Sequence, residues 1–154
     1  MPEDGARGVS RRVKAIASLA AIALVAAVIL YGFRVPGSGA YGSSHGVLLV
    51  LDREVYARGD TVKVEIVNRR LSTIYMGLDY TVYRHENGSW VPDETLTPDY
   101  WPLVLISIGP WGSYTIEVKL ANATPGVYKI AKEVWLDDSG GNRVVVEAEF
   151  RVSR

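Results

Sequence analysis

The chain has 154 residues, with 17 Lys plus Arg against 17 Asp plus Glu, and no cysteine. The lack of cysteine excludes disulfide stapling, thiolate metal ligation and thioether-linked haem. The zero net charge hides an asymmetry: residues 1–36 hold five basic and two acidic side chains, residues 37–154 twelve and fifteen, so the larger part lacks the basic surplus that nucleic-acid binding needs.

Residues 1–14 show no apolar periodicity and read as a short cytoplasmic tail. Ala15 to Phe33 is uncharged throughout, with Ser18 and Tyr31 as its only polar side chains. As a helix at about 1.5 Å per residue it would reach ~28 Å, close to the ~30 Å hydrocarbon thickness of a bilayer. Residues 15–34 are therefore expected to form one transmembrane helix or signal segment. Arg7, Arg11, Arg12 and Lys14 crowd its near side and only Arg34 follows closely, which under the positive-inside bias puts the N-terminus in the cytoplasm and the C-terminal domain outside. Ser38-Gly39-Ala40 is a small-residue stretch of the kind that precedes a signal cleavage point. The apolar run is longer than the roughly 7–15 residues of a signal core, which favours a retained signal-anchor. Arg11-Arg12 reads as ordinary inside charge, because Val13 and Lys14 do not continue a twin-arginine pattern.

Val35 to Gly46, with Pro36, four glycines and three serines, reads as a flexible stalk. Beyond it, residues 47–154 are expected to form one domain. The apolar period there is two. Val47 to Leu51 is nearly all apolar; Thr61 to Val67, Ser113 to Leu120 and Arg143 to Val152 alternate apolar and polar, as half-buried antiparallel strands do. Weaker strands are expected over Ile74 to Arg84, near Ser89 to Val91, over Leu103 to Ile108 and over Val127 to Leu136. Arg58-Gly59-Asp60, Asn87-Gly88, Gly109-Pro110, Pro125-Gly126 and Asp137 to Asn142 punctuate them as turns. Seven to eight short strands without a helix predict an all-β, two-sheet antiparallel sandwich.

Tyr56 to Asp60 with Val62 to Asn68, Tyr83 to Trp90, Gly109 to Ser113 and Thr124 to Ile130 resemble the immunoglobulin-like domains of bacterial and archaeal surfaces. The resemblance covers Val47 to Val152 and implies an Ig-like sandwich. Its motifs are turns and strands, so it carries fold rather than function. Tyr128, two residues after Gly126 at a strand start, matches the tyrosine corner, whose hydroxyl bonds back to upstream backbone. Ile130 stands where antibody-type domains place a cysteine.

The chemistry-bearing residues are sparse. The two histidines, His45 in the stalk and His85 in a polar hairpin, lack the apolar walls that tune a catalytic imidazole. A blue-copper set fails for want of cysteine, with Met76 the one methionine besides Met1. No cofactor is expected and no residue is assigned a catalytic role. Asp137, Asp138 and Asn142 are weak calcium candidates in a loop whose turn favours those residues anyway. Asp93, Glu94 and Asp99 would be the carboxyls of a carbohydrate-active enzyme, but all three sit in one loop without apolar surroundings.

Tyr100, Trp101, Trp111 and Trp135 are candidate binding residues, since exposed aromatics on loops anchor protein and sugar partners. The competing expectation makes the loop tryptophans lids over the core, and a bulge between Ala131 and Val134 would turn Trp135 inward. Asn87-Gly88-Ser89 and Asn122-Ala123-Thr124 are acceptor sequons in loops expected outside the cell. Glutamine is absent and arginine outnumbers lysine twelve to five, a composition that suits a hot environment. The sequence is thus expected to encode a single-pass, extracellular, non-catalytic Ig-like domain acting as a binding, structural or accessory module of the cell envelope, with another envelope protein or a glycan as its partner. The alternative is a filament subunit in which the stalk and Val47 to Leu51 are donated to a neighbour's sheet edge.

Overall fold

The computed structural model describes residues 39–154; the tail, the apolar segment and the first part of the stalk lie outside the described residues. Eleven strands follow one another: β1 (Tyr41–Ser44), β2 (Val47–Leu51), β3 (Val55–Ala57), β4 (Thr61–Asn68), β5 (Ile74–Met76), β6 (Thr81–Glu86), β7 (Ser89–Pro92), β8 (Ile106–Ile108), β9 (Ser113–Lys119), β10 (Gly126–Trp135) and β11 (Arg143–Ser153). No helix occurs among the described residues.

Two sheets face each other. The first runs β1-β2-β4-β9; the second runs β3-β11-β10-β5-β8, with β6 and β7 extending it alongside β10. The alternation in β11 explains how they meet. Val144, Val146, Ala148, Phe150 and Val152 are buried while their neighbours are exposed, and Val62, Val64 and Ile66 face them from β4. Each fully buried aliphatic side chain contributes about 1.5–3 kcal/mol relative to exposure, so the core needs no disulfide. Phe150 joins its largest members: Tyr128 stacks on it at 5.5 Å and Tyr56 meets it edge-on at 5.6 Å.

The structure corrects the expected strand list at five points. It has eleven strands where seven to eight were expected, because short edge pieces carry little periodicity. The stalk ends before Tyr41: β1 pairs with β2 through a His45-Gly46 turn whose residues both have positive φ. Backbone approach rather than apolar pattern makes β1 a strand, since a Cβ on Gly42 would fall on the Glu147 carbonyl oxygen. The pairing is not wholly antiparallel either, because β3 runs parallel to β11. The stretch Ile74 to Arg84 divides into β5 and β6, and only Ile106–Ile108 of the run from Leu103 is strand, since Val104 N–H turns back to the Pro102 carbonyl at 2.9 Å.

The fifth correction concerns β10. It pairs with β11 without a slip from Gly126↔Val152 to Trp135↔Arg143, so the expected bulge is absent and Lys132 stays on the inward phase. The irregularity lies in the neighbouring strand instead. From Tyr75 to Thr81 the chain advances six positions while β10 advances four, from Trp135 to Ala131. The extra residues loop out over Lys132.

The Tyr128 hydroxyl donates to the Thr124 carbonyl at 2.7 Å and accepts from Thr124 N–H at 3.1 Å. This fixes the corner at which the chain passes from β9 to β10. Gly126 has no steric necessity there, since a Cβ would meet nothing nearer than Arg84 Nε at 3.5 Å. Tyr128→Phe keeps the ring and loses both bonds. Its expected effect is a loss of roughly 1–3 kcal/mol, read as a lower denaturant midpoint at constant slope. An unchanged midpoint would show that the hydroxyl contributes nothing.

Candidate binding site

The sandwich has two loop-bearing ends. At one end Asn68, the last residue of β4, is fully buried. Its Nδ2 donates to the carbonyls of Ser72 at 2.9 Å, Ile108 at 2.9 Å and Gly109 at 3.0 Å. Its Oδ1 accepts from Arg70 N–H at 2.9 Å, and its own N–H reaches the Gly112 carbonyl at 2.9 Å. Arg69 N–H and Arg70 Nη1 bond the carbonyls of Gly46 and His45 at 2.8 and 2.9 Å. One side chain and its two neighbours therefore tie the β1–β2 turn, the β4–β5 loop and the β8–β9 turn together.

Two apolar side chains are held out from this pinned frame: Leu71 is 86% and Trp111 65% exposed. Trp111 adopts φ 61°, a conformation that a large non-glycine residue takes only when its surroundings over-determine it. The lid expectation therefore fails for Trp111: the Gly109 to Gly112 turn, closed by a Gly112 N–H to Gly109 carbonyl bond, points it into solvent. The segments Ser44 to Gly46, Asn68 to Thr73 and Gly109 to Gly112 contain Arg69, Arg70 and His45 and no carboxylate. These three loops are apolar at the tip and basic beside it, while the β10–β11 loop at the same end adds Asp137 and Asp138.

The other aromatic candidates are placed differently. Trp101 is half-buried, edge-on to Tyr80 at 4.6 Å, and acts as a side cover. Tyr100 is exposed. Trp135 lies half-buried on the outer face of the second sheet, its Nε1 donating to Glu133 Oε1 at 3.0 Å and Arg143 standing over its ring at 5.5 Å. On the same face Lys129 sits over Tyr83 and Trp90 and pairs with Glu147 at 3.0 Å. Apart from Tyr100, these aromatics already have partners within the chain.

The polar candidates take up ordinary turn geometry. Asp93 Oδ1 accepts from Thr95 N–H and hydroxyl at 3.0 and 2.6 Å, so its carboxylate caps a turn; Glu94 and Asp99 stand on the same connection. Asp137 Oδ1 accepts the Ser139 hydroxyl at 2.6 Å, while Asn142 contributes its backbone carbonyl to Leu136 N–H at 2.8 Å; Asp138 lies between them. No group of three or more metal-ligating side chains converges among the described residues. His85 meets Trp90 edge-on at 5.0 Å and His45 accepts or donates at Ser44 Oγ, 2.8 Å away. Asn87 and Asn122 are both exposed at the opposite end, the first with φ 50° in a two-residue turn. Asn122 helps line a shallow cleft of about 370 Å³ with Arg84, Glu86 and Asp93.

Two polar groups are buried. Asn68 was missed on sequence, although it continues the inward phase of Val62, Val64 and Ile66 and a polar residue on an apolar phase was the available signal; Lys132 continues the phase of Tyr128 and Ile130, from which the expected bulge would have removed it. Lys132 is buried and its Nζ makes no hydrogen bond, lying 3.5 Å from Asp79 Oδ1. Burial pushes its pKa down and the Asp79 carboxylate partly restores it. Gly77 makes that approach feasible, because a Cβ there would strike the Asp79 carboxylate. At the end where the chain enters the sandwich, Asp52 accepts from Lys63 N–H and the Tyr56 hydroxyl, both at 2.8 Å. Burial raises the Asp52 pKa, but bonds from Lys63, Tyr56 and Arg53 outweigh it and hold the carboxyl below its usual value. Burial and then Asp52 hold the Tyr56 phenol above its usual value.

Comparison with known families matches residues 43–151 to the bacterial Ig-like domain. The chain belongs to the bacterial Ig-like domain family. Comparison with curated proteins finds no match. Family membership agrees with the two-sheet sandwich and suggests a non-catalytic module. Within this Ig-like domain, the Asn68-pinned end is the arrangement best suited to recognition: its backbone is fixed, its polar groups are bonded to one another, and its apolar tip has no partner among the described residues.

Proposed function

We propose that this protein is a membrane-anchored, extracellular, non-catalytic Ig-like module that binds another protein of the cell envelope. The observation that carries the reading is the end on which Asn68 fixes three loops and holds Leu71 and Trp111 in solvent. Trp and Arg dominate interface hot spots, and a rigid frame lowers the ordering cost of association. Arg69 and Arg70 favour partner carboxylates beside the hollow that takes Leu71, with Asp137 and Asp138 across the same end favouring basic groups there. The leucine favours protein over glycan, since a sugar offers no apolar pocket for it.

The anchor of this reading is Ala15 to Phe33, with the basic tail inside. The described chain enters the sandwich where the Ala40 carbonyl accepts from Leu51 N–H at 3.0 Å, the end opposite Asn68. Asn87 and Asn122 are exposed at that end, where glycans would leave the Asn68 end clear. The filament alternative needs a strand to give away. Val47–Leu51 is bonded to β4 in its own sandwich and Tyr41–Ser44 to β2, which favours a self-contained module.

The test is the size of the complex extracted from native membranes in mild detergent. The wild-type chain is expected to migrate in an assembly that Leu71→Glu with Trp111→Glu reduces to a smaller species. An assembly of unchanged size in the double variant would contradict the reading.

A further inference from the structure

Among the described residues one buried side-chain nitrogen or oxygen lacks a hydrogen-bond partner, the Lys132 Nζ. A group left so in a folded interior calls for a ligand or a role. Its ion pair with Asp79 Oδ1 spans 3.5 Å, longer than the roughly 2.7–2.9 Å of a bonded ammonium and carboxylate. Glu133, the next residue, turns its carboxylate to Trp135 and Arg143 on the outer face instead. The Asp79 contact is delivered by chain that the ladder does not use, since Gly77 to Tyr80 is the stretch left over where six positions run beside four. The Lys132 side chain is fully buried and that of Asp79 is 57% exposed, so a solvated carboxylate caps the ammonium. Gly77 makes room for it, because a Cβ there would collide with Asp79 Oδ1. Beyond the cap, Tyr80 rests edge-on against Trp101 at 4.6 Å.

We propose that Lys132 and the Gly77 backbone form a binding site for a small carboxylate anion, which the free protein fills with its own Asp79 and which opens when the Gly77 to Tyr80 loop swings out. The class of ligand follows from the cradle. It already holds one carboxylate, it has no space for a Cβ at position 77, and its base is an ammonium whose charge a neutral molecule does not offset. A free carboxylate can stand at bonding distance from Nζ, where Asp79, carried on a short loop, stands off at 3.5 Å. That difference favours exchange, because charge-assisted hydrogen bonds are roughly twice as strong as neutral ones and Asp79 makes none with Lys132. A buried lysine so weakly repaid does not serve to hold the fold, and a local rule broken at the expense of stability is the mark of a functional site. The site includes neither Leu71 nor Trp111 and does not depend on which side of the membrane the domain occupies.

The test uses the full chain in detergent micelles with sodium formate, against sodium chloride at equal ionic strength. In the wild type, amide exchange across Gly77 to Tyr80 is expected to quicken roughly twofold when formate equals the open site's dissociation constant, and Lys132→Met is expected to abolish the response. Asp79→Ala vacates the cradle, and its thermal midpoint is expected to rise by roughly 4–8 °C at a tenfold excess of formate over that constant. Adding Lys132→Met, or Gly77→Ala with its cradle-filling methyl, is expected to remove the rise. Wild-type exchange that does not distinguish formate from chloride, or a formate response that survives Lys132→Met or Gly77→Ala, would overturn the inference. The wild-type arm needs no weakened variant, and neither arm reads the size of the membrane complex, so this test and the complex-size test fail independently.

Discussion

Replacing Asn68 by alanine is expected to lower the unfolding free energy by roughly 3 kcal/mol or more, among the largest effects available to one substitution in this domain. The side chain is fully buried, its two amide protons serve three carbonyls, and its oxygen takes the Arg70 N–H. Alanine leaves those groups without their partner and opens a void beneath the loops. Asn68→Asp is expected to fare no better: it keeps an acceptor for Arg70 but sets a carboxylate against carbonyl oxygens, with no proton to share. Denaturant unfolding measures both. A loss under about 1 kcal/mol for alanine would mean that the three loops hold their places without the hub, and that Leu71 and Trp111 are not held on a fixed frame.

The second large effect has the opposite sign. Lys132→Met is expected to stabilise the fold by roughly 1–3 kcal/mol, because a buried ion pair exchanged for an apolar side chain of similar shape is often neutral or favourable. Lys132 has its ammonium at 3.5 Å from a carboxylate that is itself largely in solvent, without a hydrogen bond, so little repays its desolvation. Asp79→Ala should destabilise, since it strips the buried ammonium of its counter-charge. The pH dependence follows from the downward direction of the Lys132 pKa. Between its folded pKa and the unfolded value near 10.4 the unfolded chain binds more protons, so this residue makes stability rise with pH across that alkaline window. Below the folded pKa its full penalty is present, and above the unfolded value it is gone. Lys132→Met should flatten that rise. A methionine variant less stable than wild type would show that the ammonium is better satisfied than its geometry indicates.

How much was legible in the sequence differs by feature. The alternations in β4, β9 and β11 were readable because each strand is half-buried, and burial enforces the period of two. Strands β1, β3 and β8 were misjudged because their pairing depends on backbone approach and on neighbours distant in sequence. Gly42 against Glu147, or Val55 beside Arg151, leaves no local pattern. Lys132 was seen as an anomaly but explained by a bulge in its own strand, when the irregularity lay across the ladder, at Gly77 to Tyr80. Trp111 was legible as a candidate and misjudged as a lid, because the left-handed turn that aims it outward is fixed by Asn68, more than forty positions away along the chain. Leu71 was missed altogether: a lone leucine in a polar loop gains meaning only from what stands beside it.

The function proposed for this protein requires the Ig-like domain to be displayed outside the cell on an anchor that stays attached. The direct measurement is labelling of single cysteines in the otherwise cysteine-free chain with a membrane-impermeant maleimide, placed at Ala121, exposed in the domain, and at Ser10 in the basic tail. Ala121→Cys is expected to react in intact cells and Ser10→Cys only after the membrane is opened. Reaction of Ser10→Cys in intact cells, protection of Ala121→Cys, or a mature chain from which position 10 has been removed would contradict it.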